Sequence, residues 1–240
     1  ATNPCHLYDL ARELRRLGKL GTYYSGYPAW KLRCSQDMHL CTFPLRTLAV
    51  YGLLGYVNPA FRPKDAALFR WQDAHFDRAV ARALRPAAAI HGMPGQCLET
   101  FRAAKRLGIQ TILNHATGPI NNIAATLEHE YHRVGMRFDR VTRFDATYRK
   151  QEEAEYGLAD YHCVASSVVA DQLSSIGIAR ERIWIVPYGS DESIFFPDNR
   201  VPDQNDRFRI VFAGQLTLRK GVRFLLDALA LAAPPTWDVH

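Results

Sequence analysis

YHCVASSVVADQLSSIGIARERIWIVPYG, Tyr161 to Gly189, runs a strand pattern, a helix pattern and a second strand pattern together without a break. YHCVAS is short, rich in apolar residues and ends on serine, while SSVVADQLSSIG opens on Ser166 and Ser167, good N-cap residues, and closes on Gly177. RIWIVPYG returns to an apolar run that stops at Gly189. Strands joined by a helical crossover must run parallel, so this span predicts one unit of a parallel sheet.

The same rhythm extends upstream. AAAIHG reads as a strand, QCLETFRAAKRLG as a helix closed by Gly108, and TILNHAT as a further strand. INNIAATLEHEYHRVG and RFDATYRKQEEAEYGLA read as helices. HLYDLARELRRLG sets Leu7, Leu10, Ala11, Leu14 and Leu17 on one stripe, with Arg12, Arg15, Arg16 and Lys19 off it, the signature of an amphipathic helix. The prediction is an α/β fold with a Rossmann-like doubly wound parallel sheet. ATNPC suits the tip of a strand, so the pattern calls for a strand ahead of the first helix. At the other end RFRIVFAG and its helix are followed by PPTWDVH, which begins like a new strand. These signals predict a first domain over 1–190, a Pro-, Asp- and Ser-rich linker over 191–206, and the incomplete opening of a second domain over 207–240.

Composition narrows the class. A chain of 240 residues that is 48% hydrophobic is expected to be globular rather than disordered. Its net charge of +6 suits an anionic partner without choosing among nucleotide, acidic membrane or nucleic acid. Nucleic acid is not expected, because no interleaved basic and aromatic module is present. The five cysteines are scattered with no CxxC pair, which fits a reducing compartment. No apolar run approaches the ~20 residues of a membrane-spanning helix. The expected location is the cytoplasm. TFPLRTLAVYGLLGY, Thr42 to Tyr56, reads as a core helix, with contact at the inner face of the plasma membrane as the alternative, helped by Arg15, Arg16 and Lys19.

Ligands of open parallel sheets bind beyond the carboxyl ends of the strands. Those ends carry His91, His115, Ser166, Gly189 and Gly214. FAGQLTLRKG, Phe212 to Gly221, predicts a strand stopping at Gly214, a basic loop with Arg219 and Lys220, and a helix start: an anion site. It is not a P-loop, since Arg219 stands where the second glycine belongs and Gly221 where a hydroxyl would hold magnesium. In EHEYH, His129 and His132 are three apart rather than four, so a solvated helix face is expected rather than a zinc site.

The ordered set Ser166, Gly177, Pro187, Gly189, Asp191, Phe196, Pro197, Gly214, Lys220 and Gly221 resembles the middle of retaining glycosyltransferases of GT-B architecture, in the large family 4, over about residues 143–230. The resemblance implies two Rossmann-like domains, acceptor side first and nucleotide-sugar side second. It implies transfer of a sugar from a nucleotide-diphosphate donor to a saccharide or lipid-linked acceptor hydroxyl, with no metal and no organic cofactor. It assigns His115 to the reacting sugar, Gly214, Arg219 and Lys220 to the donor diphosphate, and Asn3, His6, His91, Ser166 and Gly189 to the cleft lining. The chain departs from the pattern at Gln215, where relatives often carry the partner cation, and at Pro119, where some carry their histidine. The Gly-Gly loop after the first strand is also missing, with Asn3 and His6 as substitutes, and the family's pair of donor-site glutamates would fall beyond His240. The rival expectation is a non-catalytic Rossmann-like domain that binds a nucleotide or carbohydrate.

Overall fold

A computed structural model gives the fold, described for residues 5–32, 38–58, 61, 65–138, 145–196, 208–232 and 237–239. The chain divides into two compact units: Ala1–Asn122 with Val141–Pro187, and Ile123–Arg140 with Tyr188–His240. The first runs α1 (His6–Arg16), β1 (Tyr23–Ser25), β2 (Leu40–Thr42), α2 (Pro44–Tyr56), α3 (Asp65–Ala83), β3 (Ala89–Gly92), α4 (Leu98–Arg106), β4 (Gln110–His115), the first turn of α5 (Ile120–Arg133), α6 (Ala146–Leu158), β5 (Tyr161–Val164), α7 (Ser167–Ser175) and β6 (Ile183–Ile185).

Strands β3, β4, β5 and β6 form a sheet in that order, every neighbour parallel. β4 is buried from Thr111 to His115, as a central strand covered on both faces must be. Its register sets Asn114 opposite Cys163 and His115 opposite Val164. Phe101, Leu113, Tyr156 and Ala159 make one core cluster; Val164, Ala170, Leu173 and Ile183 make another under α7. β1 and β2 form a separate parallel pair, packed under α1 through Ala11, Tyr23 and Leu32.

Local chemistry sets the boundaries. Ser166 Oγ accepts the Val169 N–H at 3.4 Å and caps α7, while Gly177, with φ of 94°, closes it. Asp145 accepts from both Thr147 and Tyr148 N–H, so α6 begins at Ala146, later than the RFDAT pattern suggests. Leu17, expected on the apolar stripe, is the C-cap of α1 and 61% exposed, because the helix has ended at Arg16. α2 is only partly the core helix expected: Thr47 and Val50 are buried, but Leu45 is 77% and Tyr56 93% exposed.

The second unit holds the rest of α5, then β7 (Phe208–Ile210), a 3-10 turn (Leu218–Lys220), α8 (Val222–Ala232) and β8 (Trp237–Val239), with β7 and β8 parallel. β7 ends at Ile210 rather than at Gly214, because its pairing with β8 covers Phe208 to Ile210 alone. α5 residues beyond Asn122 group with this unit rather than with 1–190, and within it the Arg133 guanidinium stands 4.6 Å from the centre of the Phe224 ring. The sequence-based linker largely overlaps residues 197–207, which lie outside the described set.

One capping contact joins α3 to α4. Asp77, buried in α3, accepts the Glu99 and Thr100 N–H groups at 2.7 and 2.8 Å, where α4 leaves its first amides without helical partners. Asp77→Ala therefore strands two amide donors, and urea denaturation is expected to show a loss of about 2 kcal/mol.

Candidate functional site

The carboxyl ends of β3 and β4 bring together polar groups that are mostly buried. Asn114 Nδ2 lies 2.9 Å from His91 Nδ1; an amide nitrogen can only donate, so His91 carries its proton on Nε2. Burial holds the His91 pKa below its ordinary value.

His115, expected at the donor sugar, is buried in the first unit. Its ring is 3% exposed, stacked on His162 with centroids 5.2 Å apart and tilted against Tyr156 at 5.5 Å. His115 Nε2 and His162 Nδ1 are 3.0 Å apart and share one proton, so each ring turns its remaining nitrogen into the interior. Those nitrogens, His115 Nδ1 and His162 Nε2, have no hydrogen-bond partner among the described residues. Burial, and then the neighbouring His162, push the His115 pKa down to about 3; burial, and then Arg182, lower His162 to about 4. Both rings are neutral near pH 7. In this arrangement the His115 imidazole joins β4 to β5.

A second buried group holds the loop after β3. The Gly95 and Cys97 N–H groups donate to Glu155 Oε2 and Oε1 at 2.5 and 3.1 Å, and Gln151 Nε2 donates to the same carboxyl at 3.2 Å. Gly95 has φ of 81°, and a Cβ there would meet the Tyr148 hydroxyl at 2.1 Å, so conformation and space both demand glycine. Burial raises Glu155 to about 8 and Glu152, which accepts from the Tyr156 hydroxyl at 2.7 Å, to about 7. The sequence reading missed Asp77, Glu152, Glu155 and His162. QEEAEY shows carboxylates on a helix, but only the packing of α6 against α4 tells which of them turn inward.

The remaining expected residues are placed as follows. Ser166 has the N-cap role already given, His6 is the half-buried first residue of α1, and Asn3 lies outside the described residues. Gly189 is exposed. In the second unit Arg219 and Lys220 are exposed on the 3-10 turn, with no ion pair among the described residues, and Gly221 follows with φ of 71° ahead of α8. A Cβ on Gly214 would meet nothing nearer than the Phe212 ring, 3.7 Å away, so packing among the described residues leaves room for a side chain there. His129 and His132 are exposed on α5. Among the described residues no cluster of three or more His, Cys, Asp or Glu could hold a metal ion, and no helix is long and apolar enough to cross a membrane.

No protein-family model matches the chain, and neither does any curated protein sequence. Solved structures do. The chain is similar to the lipopolysaccharide outer core galactosyltransferase WaaB in its apo form, with a TM-score of 0.52 and 14% identity over 98% of this chain and 55% of that one. TcCGT1 in complex with UDP aligns at a TM-score of 0.49 and 11% identity, over 87% of this chain and 54% of that one. Phytolacca americana UGT2, complexed with UDP-2fluoro-glucose and pterostilbene, aligns at 0.49 and 12%, over 98% and 67%. The chain spans about half the length of WaaB and TcCGT1. At such identities the likeness speaks to fold. That fold is α/β with parallel sheets, of the GT-B type.

The buried groups give stability a dome in pH. The histidines titrate in the folded state at about 3 and about 4, below the ordinary 6.5, so the unfolded chain takes up protons first on acidification and stability falls as pH drops from 6.5. Glu152 and Glu155 titrate at about 7 and about 8, above the ordinary 4.5, so the folded state keeps protons that the unfolded chain releases and stability falls as pH rises from 4.5 toward 8. The two slopes oppose each other only between those ordinary values. Urea midpoints measured from pH 3 to 9 are expected to peak between about 4.5 and 6.5, with Glu155→Gln flattening the alkaline limb.

Proposed function

We propose that the chain is the acceptor-side unit and the opening of the donor-side unit of a retaining glycosyltransferase of family 4 type, acting on a nucleotide-diphosphate sugar in polysaccharide or glycolipid synthesis. The observation that carries the reading is Lys220, an exposed cation without an ion pair among the described residues, on the turn before α8 in a chain of GT-B fold. In such a transfer the bond from the anomeric carbon to the diphosphate oxygen breaks, the acceptor oxygen bonds to that carbon with configuration retained, and the diphosphate leaves carrying the negative charge. A lysine at a helix start is suited to receive that charge, and stabilising it is the largest contribution a transferase of this kind makes. Arg219 adds to the local field. Gly214 supports the same reading: among the described residues neither a left-handed backbone nor local packing requires glycine there, whereas a ligand lying close against the loop would.

For the acceptor, the outward face of α2 is apolar and aromatic, with Leu45, Leu48, Tyr51 and Tyr56 exposed and Arg46 as its single charged residue. That composition suits a lipid-linked acceptor held at a membrane surface. His115, which is buried and contacts His162 across β4 and β5, would act in this reading by positioning the ends of those strands.

In a two-domain protein containing this chain, Lys220→Ala is expected to lower sugar transfer more than about tenfold. The same substitution should abolish the rise in melting temperature produced by UDP-, GDP- or ADP-sugars, whichever of them the wild type selects. Unchanged transfer in the variant removes the role given to Lys220. A melting shift with nucleotide, but no transfer to any acceptor, favours the binding-domain alternative. Gly214→Ala should leave urea stability unchanged and weaken the nucleotide shift.

A further inference from the structure

Among the described residues, every hydrogen bond that reaches the Glu155 carboxyl comes from a donor. Gly95 N–H meets Oε2 at 2.5 Å, while Cys97 N–H and Gln151 Nε2 meet Oε1 at 3.1 and 3.2 Å. Gln151 Nε2 also donates to the Gly95 carbonyl at 2.9 Å, and a carbonyl only accepts, so the amide is held with its nitrogen toward the carboxyl. An ionised carboxyl is an acceptor alone and suits three donors, whereas a neutral one carries a proton that must be aimed at an acceptor. None of these partners offers one. The loop between β3 and α4 thus has the shape that belongs to the charged form of Glu155.

The surroundings of the carboxyl oppose that charge. Glu155 is fully buried, and the ionisable groups around it are acids: Asp77 of α3, the Cys97 thiol at the head of α4, and Glu152 and Tyr156 of α6 itself. His115 of β4 and His162 of β5, whose rings meet Tyr156, are neutral near pH 7. Burial outweighs the three donors, so the group titrates at about 8.

We infer that Glu155 is a proton switch for the loop between β3 and α4, holding the loop while charged and releasing at least one of its three donors when it takes up a proton. Gly95 lets the loop respond, because its left-handed φ of 81° and the other wells open to glycine differ little in energy. The position gives the switch a consequence. The loop follows His91 and Gly92 at the carboxyl end of β3, the end at which open parallel sheets bind their ligands, so acidification loosens one border of that region. Local order and global stability run in opposite directions here: charging a buried group costs the fold as a whole even while it tightens this loop. The inference stands on the clamp and is independent of the transferase reading.

The test follows the Gly95 and Cys97 amide resonances of the whole chain by NMR from about pH 6 to 9.5, together with their hydrogen exchange corrected for the intrinsic rate. Both resonances are expected to move with one shared midpoint near about 8. Their protection should rise about tenfold across the range, while that of Leu113 in β4 does not rise. Glu155→Gln can neither ionise nor offer two acceptor oxygens, so it should hold both amides at their low-pH positions throughout. Gln151→Met removes one donor to the carboxylate and should raise the midpoint while keeping the movement, a readout that does not depend on Glu155→Gln folding. Resonances that stay still over this range, or that move equally in Glu155→Gln, overturn the inference. So does a midpoint that Gln151→Met leaves in place.

Discussion

The arrangement of the first unit depends on a carboxyl group with no access to water. Glu155 binds the backbone of the loop that follows β3, and Asp77 binds the first amides of the helix that follows that loop. Between them the two side chains satisfy four backbone N–H groups that no strand or helix could pair. Such groups cost free energy when buried alone, so the loop keeps one shape and α4 leaves β3 in one direction. Burial raises the pKa of both carboxyls, so the clamp carries a pH dependence of its own.

The histidine pair does the corresponding work one strand further in. His115 and His162 link β4 to β5 through side chains as well as backbone, and each keeps one buried ring nitrogen without a hydrogen-bond partner among the described residues. A charged imidazole there would be costly, which is why both lose basicity. The same feature that makes a histidine attractive as a catalyst, a pKa near neutrality, is removed by its surroundings. The cations to which the chemistry is proposed to fall, Arg219 and Lys220, are exposed in the second unit.

The second unit contrasts with the first in how little it buries. Every described side chain of α8 remains at least partly accessible, although the helix is almost entirely apolar, and β7 pairs with β8 over three residues. Apolar helices of this kind gain most of their stability from a covering layer. The turn carrying Lys220 nevertheless has a defined shape within the unit, because Gly221 adopts a left-handed conformation between the 3-10 turn and α8.

Much of the fold was legible from residue order. Helix stripes such as Leu7, Leu10, Ala11 and Leu14, capping residues such as Ser166, and closing glycines such as Gly108 and Gly177 act through neighbours a few positions away, so their effect is written locally. The same local logic placed Lys220 and Gly221 at a turn before a helix. What only tertiary structure decided was which polar side chains turn inward. Glu155 and Glu153 stand two residues apart in one helix; the first is fully buried on the loop of β3, while the second is exposed and accepts from Asn121. Burial of His115 depends on His162, 47 positions away, and on α6 closing over both rings. Local pattern sets which conformations a segment can adopt at low cost, whereas burial depends on segments distant in the chain meeting, and no short window of sequence contains that information.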